Sequence, residues 1–572
     1  MPKPLQFARI RFKVGSVPGG AALEIHPESV VILVGPNNSG KSAALKEIET
    51  WCMGHPGNQK IIDDLDIVMP ADLVTATTLL KKIETAPDPP EVAHESEMII
   101  RRPPVTRTGP PGGLKMRINF KELQGHLDNA EDVNHKRFFR EKVLSNFVLR
   151  LDGRTRFSLT EQKPAGNINA APQNHLWYLF EDDVARKTAR EYTSQAFGLH
   201  VVVDPTAMQH FSVKMSPRAP VDVAEEKMLD ERAKKFYRES TDIQETSDGV
   251  QAFTGLVTAM LSLPFKILLV DEPEAFLHPP LSRRLGGNLA RLARAQNASL
   301  IVSTHSAEFV MGCLEAVPET QIVRLTYENG VATARSLTGA QVQEMIKNPL
   351  MRSTGTLRAL FHKCAIVTES DTDRSFYDEI NTRLQRLGRG IADSLFLNAQ
   401  NKNTIHRIIG PLRSIGVPAV GVYDLDLIRV GSDFTNMMTG AKIPDAKIAA
   451  LRTEKDWLVN ALAAVAATPG QLLDPLKHGG IEHLAGADLT RAQHFLAELE
   501  RYGVFLIPIG EVERWLRSMK IAGKGTEWLI DMFAALGDEG AAGYIQPAAD
   551  DVWAFLDRIN GWISNPNRLG IG

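Results

Sequence analysis

Residues Val30–Leu45 read VVILVGPNNSGKSAAL, and three local signals follow one another inside them. Val30–Val34 is a continuous apolar run, the composition of a strand buried on both faces of a parallel sheet. Gly35–Gly40 is rich in turn formers, and a helix-forming run opens at Lys41. The spacing Gly35…Gly40-Lys41-Ser42 fits the phosphate-binding loop G-x-x-x-x-G-K-[ST]. Chance would produce it in only about 2% of chains this long. Gly35, Asn37, Asn38, Ser39 and Gly40 let the backbone turn tightly and aim its N–H groups inward. The helix start adds partial positive charge where β- and γ-phosphates would lie. Lys41 is expected to bridge those phosphates of ATP, and the Ser42 hydroxyl to ligate Mg2+.

At 572 residues the chain is long enough for two to four domains. Its 43% hydrophobic and 23% charged content is ordinary for a globular protein, and no run of 18 apolar residues occurs. No membrane span is therefore expected. The start, MPKPLQFARIRF, lacks an apolar signal core, which points to the cytoplasm. Cys52, Cys313 and Cys364 are too scattered for a disulfide framework or a zinc cluster. A net charge of −3 excludes indiscriminate polyanion binding and leaves nucleic-acid contact to local patches.

Before the phosphate loop, Leu5–Val14 alternates apolar and basic residues like an edge-exposed strand, and Ala21–Ile25 follows as a hairpin partner. Residues 51–240 read as a large insertion, a candidate dimerisation region carrying a helical arm. Its passage 86–113 is Pro-rich and loop-like. The basic cluster His135, Lys136, Arg137, Arg140 and Lys142 reads mainly as a solvated helix face. Helices are expected over Val184–Phe197 and Val223–Arg238. From Ile243 order returns. Ser247 stands where a helix N-cap belongs, ahead of a periodic helix, Val250–Leu263. Phe265–Glu272, Leu281–Ala295 and Ser299–His305 make a strand–helix–strand unit, and Gln321–Leu337 a hairpin.

Asp271 and Glu272 end the apolar strand FKILLVDE. Phosphoryl transfer needs charge neutralisation and placement, so Asp271 is the candidate magnesium ligand, through Ser42 or water, and Glu272 the candidate to orient the attacking water. The words Asp271-Glu272-Pro273-Glu274 and Leu277-His278-Pro279 resemble the DEPExxLHP signature of ATPases related to ABC transporters and chromosome-maintenance (SMC) proteins. That resemblance implies that His305 is a γ-phosphate-sensing switch histidine. It also implies that Ser247-Asp248-Gly249 is the signature segment, with Asp248 where the family usually has glycine. Ser247 and Gly249 would then touch ATP held by another subunit. The family's glutamine loop has Gln59 and Gln209 as its only candidates.

A second strand–helix alternation begins near Arg358 and argues for a further parallel sheet. Its strands are expected at Cys364–Glu369, Ser394–Leu397, Pro418–Asp424 and Gly503–Pro508, its helices at Asp373–Leu387 and Thr404–Ile415. Strand ends of a parallel sheet share one edge, so Glu369, Asp373, Asp424 and Asp426 can meet there. Converging carboxylates are what two-metal phosphodiester cleavage requires. Asp64-Leu65-Asp66 has the same D-x-D letters without an apolar strand before it.

Glu-x-x-x-Asp after one strand and Asp-x-Asp after a later one resemble the Toprim domain of topoisomerases, primases and nucleases, with Ser370 where that family prefers glycine. The pairing of an ABC-type ATPase with a Toprim domain resembles the OLD (overcoming lysogenization defect) family, which includes Gabija-type and retron-associated anti-phage nucleases. The resemblance implies an ATPase domain over 1–350. It places over 355–572 a Toprim domain with a helical insertion near 440–500 and a helical C-terminus. It further implies catalytic Glu369, Asp424 and Asp426, with metal ligands Ser42, Asp271, Glu369, Asp373, Asp424, Asp426, Glu511 and Glu513. The cofactors implied are ATP and Mg2+, with Mn2+ as an alternative at the Toprim site. A catalytic lysine is implied, with Lys402, Lys520 and Lys524 as candidates. The expected activity is ATP-dependent or ATP-regulated cleavage of DNA by a homodimer or higher oligomer. A helicase-like or reverse-transcriptase and non-coding-RNA partner would act beside it. The alternatives are a sensor or scaffold ATPase with an inactive Toprim domain, or a Toprim ribonuclease acting on RNA such as tRNA.

Overall fold

Val30–Val34 is buried along its whole length. Each of its side chains contributes about 1.5–3 kcal/mol by leaving water, which places this strand inside a sheet and not at its rim. The computed structural model describes residues 3–571 except 56, 88–91, 102–114, 154, 166–171, 173, 263, 329, 354 and 467–473. The chain divides into two compact units, one of Met1–Val34 and Asn38–Gln343 and the other of Gly35–Asn37 and Glu344–Gly572, so the main boundary falls inside the helix Gly339–Lys347.

In the first unit the main sheet runs, in spatial order, Val331–Leu337, Gln321–Glu328, Val30–Val34, Ser299–Ser303, Ile267–Asp271 and Val148–Leu151. All neighbours are parallel except the terminal hairpin. The expected strand–helix–strand unit is present, with the helix Pro279–Ala295 between its strands. Asn329, in the expected hairpin turn, lies outside the described residues. The stretch 51–240 is not one insertion: Val148–Leu151 returns from it to form the outer strand of this sheet, paired with Ile267–Val270.

The first strand, Phe7–Phe12, is not at an edge. It lies between Glu24–Ile25 and Ile62–Ile67 in an antiparallel sheet. Its basic residues are matched across the sheet, Arg9 with Glu24 and Asp64, Arg11 with Asp63. Asp64-Leu65-Asp66 is thus part of a strand whose acids answer those cations. The basic cluster lies on the helix Val133–Lys142. There Arg137 pairs with Glu141 at 2.8 Å, Lys136 with Asp66 at 3.5 Å, and Arg140 covers the Trp51 ring at 4.2 Å. Of the Pro-rich passage, 88–91 and 102–113 lie outside the described residues.

The helix expected over Val223–Arg238 is two helices, Val223–Lys227 and Glu231–Arg238. Asp230 breaks them by accepting a hydrogen bond from Ala233 N as an N-cap. Phe236 and Tyr237 are buried, so the second helix packs inward and does not form an arm. Asp183–Phe197 ends as expected at Gly198, which takes φ 69°.

The second unit is built on a parallel sheet in the order Ser394–Asn398, Cys364–Thr368, Ala419–Tyr423 and Val504–Leu506. Helices Asp371–Arg386 and Lys402–Ser414 make its crossovers. Helices Asp445–Ala466 and Gly486–Glu500 fill the interval before the last strand, and Asp551–Ser564 is the last helix. One buried cation ties these parts together. The Arg413 guanidinium is wholly buried and donates to the carbonyls of Ala419, Ala441, Gly503 and Gly570 at 2.8–3.3 Å. Arg413→Met leaves those acceptors unpaired and should cost about 3–5 kcal/mol. Urea unfolding followed by fluorescence of the core residues Trp515, Trp528 and Trp553 measures it.

Candidate functional site

The phosphate loop leaves the C-terminal end of Val30–Val34 and enters the helix Lys41–Cys52. Gly35 has φ 140°, Asn38 φ 61° and Gly40 φ 94°, so the loop turns through conformations that glycine and asparagine tolerate best. A Cβ at Gly40 would also stand 2.5 Å from Ile61 Cδ1. No side chain caps the helix start, which leaves its positive end to an anion. Lys41 is buried, with Nζ 3.4 Å from Ser39 Oγ.

Two strand ends supply the rest, those of Ile267–Asp271 and Ser299–Ser303. Ser42 Oγ donates to Asp271 Oδ1 at 3.0 Å, and the Ser303 hydroxyl donates to the same oxygen. Sheet register pairs Asp271 with Ser303, which explains that convergence. These oxygen donors would hold Mg2+ beside a phosphate chain, as hard ligands suit that ion. Glu272 follows in a left-handed conformation, φ 48°, with Oε1 3.7 Å from His305 Nε2. Glu274 lies below, half-buried. It accepts from Thr304 Oγ1 at 2.7 Å and His305 N at 2.8 Å, so it fixes the loop that carries the histidine. Burial pushes its carboxyl above the usual range.

Ser247 precedes the helix Asp248–Ser262 and accepts from Gln251 N at 3.1 Å. A Cβ at Gly249 would meet Phe276 O at 2.7 Å, so the helix seats against the loop after Glu272 only with glycine there. Gly249→Ala should therefore lower the melting temperature by several degrees, an overpacking cost of about 1–3 kcal/mol, and reduce ATP turnover. Differential scanning fluorimetry and a phosphate-release assay read both. Gln209 lies beside the antiparallel strand His210–Ser216, outside the main sheet. Gln59 precedes Ile61 and accepts a bond from Lys13 through its carbonyl. Sequence reasoning missed Arg156, whose Nη2 donates to Asp271 O at 2.8 Å. It follows Val148–Leu151, a strand with no distinctive pattern of its own.

The second unit gathers acids at one sheet edge. Glu369 follows Cys364–Thr368, Asp424 follows the adjacent strand Ala419–Tyr423, and Asp424 N donates to Glu369 Oε1 at 3.1 Å. Ser370 and Asp373 form a reciprocal capping box that starts the helix Asp371–Arg386. Ser370 thus has a structural job. Asp373 is held nearly buried by it. Burial and then the neighbouring carboxylates Asp373 and Asp426 push the Glu369 carboxyl up to about 7. Burial, then Glu369, raises Asp424 further above its usual range.

Lysines face these acids. Lys402 Nζ lies 2.6 Å from Asp426 Oδ1, Lys477 Nζ 3.0 Å from Glu511 Oε1 and 3.7 Å from Asp426, and Lys524 Nζ 2.6 Å from Glu511 Oε2. Lys477 was not a sequence candidate. It carries no spacing signal. Lys520 occupies a left-handed turn position instead, φ 54°. Glu511 is nearly buried and engaged by two lysines, and Glu513 accepts from Gly525 N at 3.1 Å. Among the described residues no group of three His, Cys, Asp or Glu side chains is gathered closely enough to hold a metal ion. Glu369, Asp424 and Asp426 offer hard oxygen donors of the kind that Mg2+ and Mn2+ take.

Residues 128–311 match the family model described as "AAA domain, putative AbiEii toxin, Type IV TA system". The match takes in Asp271, Glu272 and His305 and begins after the phosphate loop. Within the first unit, this stretch is similar to an AAA domain. Among solved structures, the SMC head bound to the C-winged helix domain of ScpA is similar at 14% identity. That alignment covers 59% of this chain and 99% of that one, with a TM-score of 0.34. The SMC head domain from Thermotoga maritima is 14% identical, over 58% and 99%, with a TM-score of 0.29. No curated protein matches. No helix among the described residues is long and apolar enough to cross a membrane.

Proposed function

We propose that the protein is an ATP-regulated, metal-dependent DNA endonuclease of the OLD type, acting in anti-phage defence. The observation that carries the nuclease reading is the hydrogen bond between Asp424 N and Glu369 Oε1. Two acids 55 positions apart meet at the ends of adjacent parallel strands, with charge that burial makes unfavourable unless something cationic joins them. A divalent ion bound there would supply Lewis acidity and an activated water. Glu369, Asp424 and Asp426 would hold it. Lys402, Lys477 and Lys524 would draw the phosphodiester backbone to the same edge.

The ATPase half supplies control. Lys41 neutralises phosphate charge, Ser42 and Asp271 hold magnesium, Glu272 orients water and His305 responds to the γ-phosphate. With Ser247 and Gly249 completing the site from a second copy, ATP would bridge two subunits. A helicase-like or reverse-transcriptase partner suits such an effector. The test is plasmid nicking with Mg2+ or Mn2+ by the wild type, Glu369→Ala and Asp424→Ala. Wild-type cleavage lost in both variants is expected. A wild type that leaves DNA intact ends this reading, and RNA cleavage lost in both variants moves the substrate to RNA.

A further inference from the structure

Arg156 is one of the largest side chains completely enclosed in the protein, about 1% exposed. It sits in the short 3-10 helix Thr155–Leu159 that follows the outer strand Val148–Leu151. Its Nη2 donates to Asp271 O at 2.8 Å and its Nε to Asp152 O at 3.4 Å, while Nη1 is buried with no hydrogen-bond partner. Burying a guanidinium with an unused donor is costly, so an unpaired one in a native fold calls for an explanation. The acids that offset its desolvation are Glu274, Glu272, Asp271 and Asp152, in that order. Glu274 Oε2 is buried and unpartnered as well. On the other side the backbone of this short helix packs closely on the helix Asp248–Ser262: a Cβ at Gly255 would stand 3.2 Å from Arg156 O.

The bond to Asp271 O falls on the peptide that leads into Glu272. Glu272 has φ 48°, a conformation that costs a non-glycine residue about 1–3 kcal/mol and persists only where surroundings impose it. Three hydrogen bonds impose it here. Arg156 holds the preceding carbonyl, Glu272 N donates to Ser303 O at 2.9 Å, and Ala275 N donates to Glu272 O at 3.1 Å. Two of these come from the sheet and its turn. The third comes from a side chain whose hydrogen bonds run to the carbonyls of Asp152 and Asp271.

We propose that Arg156 is a positioning residue of the ATPase: it locks the Asp271–Glu272 peptide so that the Glu272 carboxylate faces its water, and it serves hydrolysis and not nucleotide binding. The proposal rests on the reading of Glu272 as the water-orienting acid. Without the lock the peptide relaxes, the carboxylate swings away, and the phosphate loop remains as it was.

The experiment is a double-mutant cycle on the full chain, with kcat from phosphate release and Kd from a fluorescent ATP analogue. Arg156→Met should lower kcat at least about 10-fold while Kd stays within about threefold. Arg156→Lys keeps one donor and should recover part of kcat, and it stands in if the methionine variant fails to fold. Adding either change to Glu272→Gln should slow turnover no further, since Arg156 acts through that carboxylate. Independent, multiplying losses, or a Kd that weakens in step with kcat, overturn the proposal. Wild-type turnover that is absent, or unaffected by Lys41→Ala, overturns the ATP-site reading itself and the proposal with it.

Discussion

Asp424→Asn is expected to abolish nucleic-acid cleavage, by at least about 100-fold, and to make the metal-free second unit more stable at the same time. The two effects have one cause. Asp424 sits behind the strand Ala419–Tyr423, hydrogen-bonded through its N–H to Glu369 and facing Asp373, Asp426 and Glu511. Desolvation and these like charges raise the carboxyls of Glu369 and Asp424 above their values in an unfolded chain. A raised carboxyl binds its proton more tightly in the folded state, so its stability is fully present below the unfolded value, near 4. It is lost as pH rises through the folded value, about 7 for Glu369. Metal-free protein should accordingly melt several degrees lower at pH 8 than at pH 6, a penalty of order 2–3 kcal/mol shared by a coupled pair. Asparagine keeps the shape and the backbone N–H, removes one charge, and should flatten that pH dependence. Mg2+ should raise the wild-type melting temperature at pH 8 and leave the variant's nearly unchanged. A variant that melts lower than the wild type in EDTA at pH 8 would show that Asp424 is paired, not strained.

Both sites were legible where chemistry sits at the end of a continuous apolar strand. Val30–Val34, Ile267–Asp271, Cys364–Thr368 and Ala419–Tyr423 announce themselves by composition, and parallel pairing carries whatever follows them to one edge. That is why Ser42 with Asp271, and Glu369 with Asp424, could be matched across long intervals. Legibility failed where the sheet is completed by weak segments. Val148–Leu151 is four residues with Arg150 among them, a pattern too short to separate from a loop, so Arg156 behind it stayed invisible. The alternation of Phe7–Phe12 revealed a polar face but not the acids of Ile62–Ile67 that cover it. Single long side chains were harder still. Lys477 reaches Glu511 from a turn after the helical region, and no spacing rule connects the two. Ser370, which the motif comparison singles out only as a departure, also caps a helix, a job that the comparison does not reveal.

Lys41→Ala should remove ATP turnover, at least about 100-fold in kcat/KM or roughly 3 kcal/mol of transition-state stabilisation, with no loss of fold. The phosphate loop around it turns at Gly35, Asn38 and Gly40 and leads into the uncapped start of Lys41–Cys52. Lys41 is nearly buried, with Nζ 3.4 Å from Ser39 Oγ. A polyanion in the loop would be drawn to an ammonium in so poorly solvated a place. Truncation therefore takes charge complementarity out of the complex. The rise in melting temperature that ATP and Mg2+ give the wild type should vanish. Cleavage measured on the same variant then gives the sense of the regulation. Cutting that persists or increases means that bound ATP restrains the carboxylates of the second unit, and cutting that stops means that ATP licenses them. Turnover that survives the change would place nucleotide hydrolysis somewhere other than Gly35–Ser42.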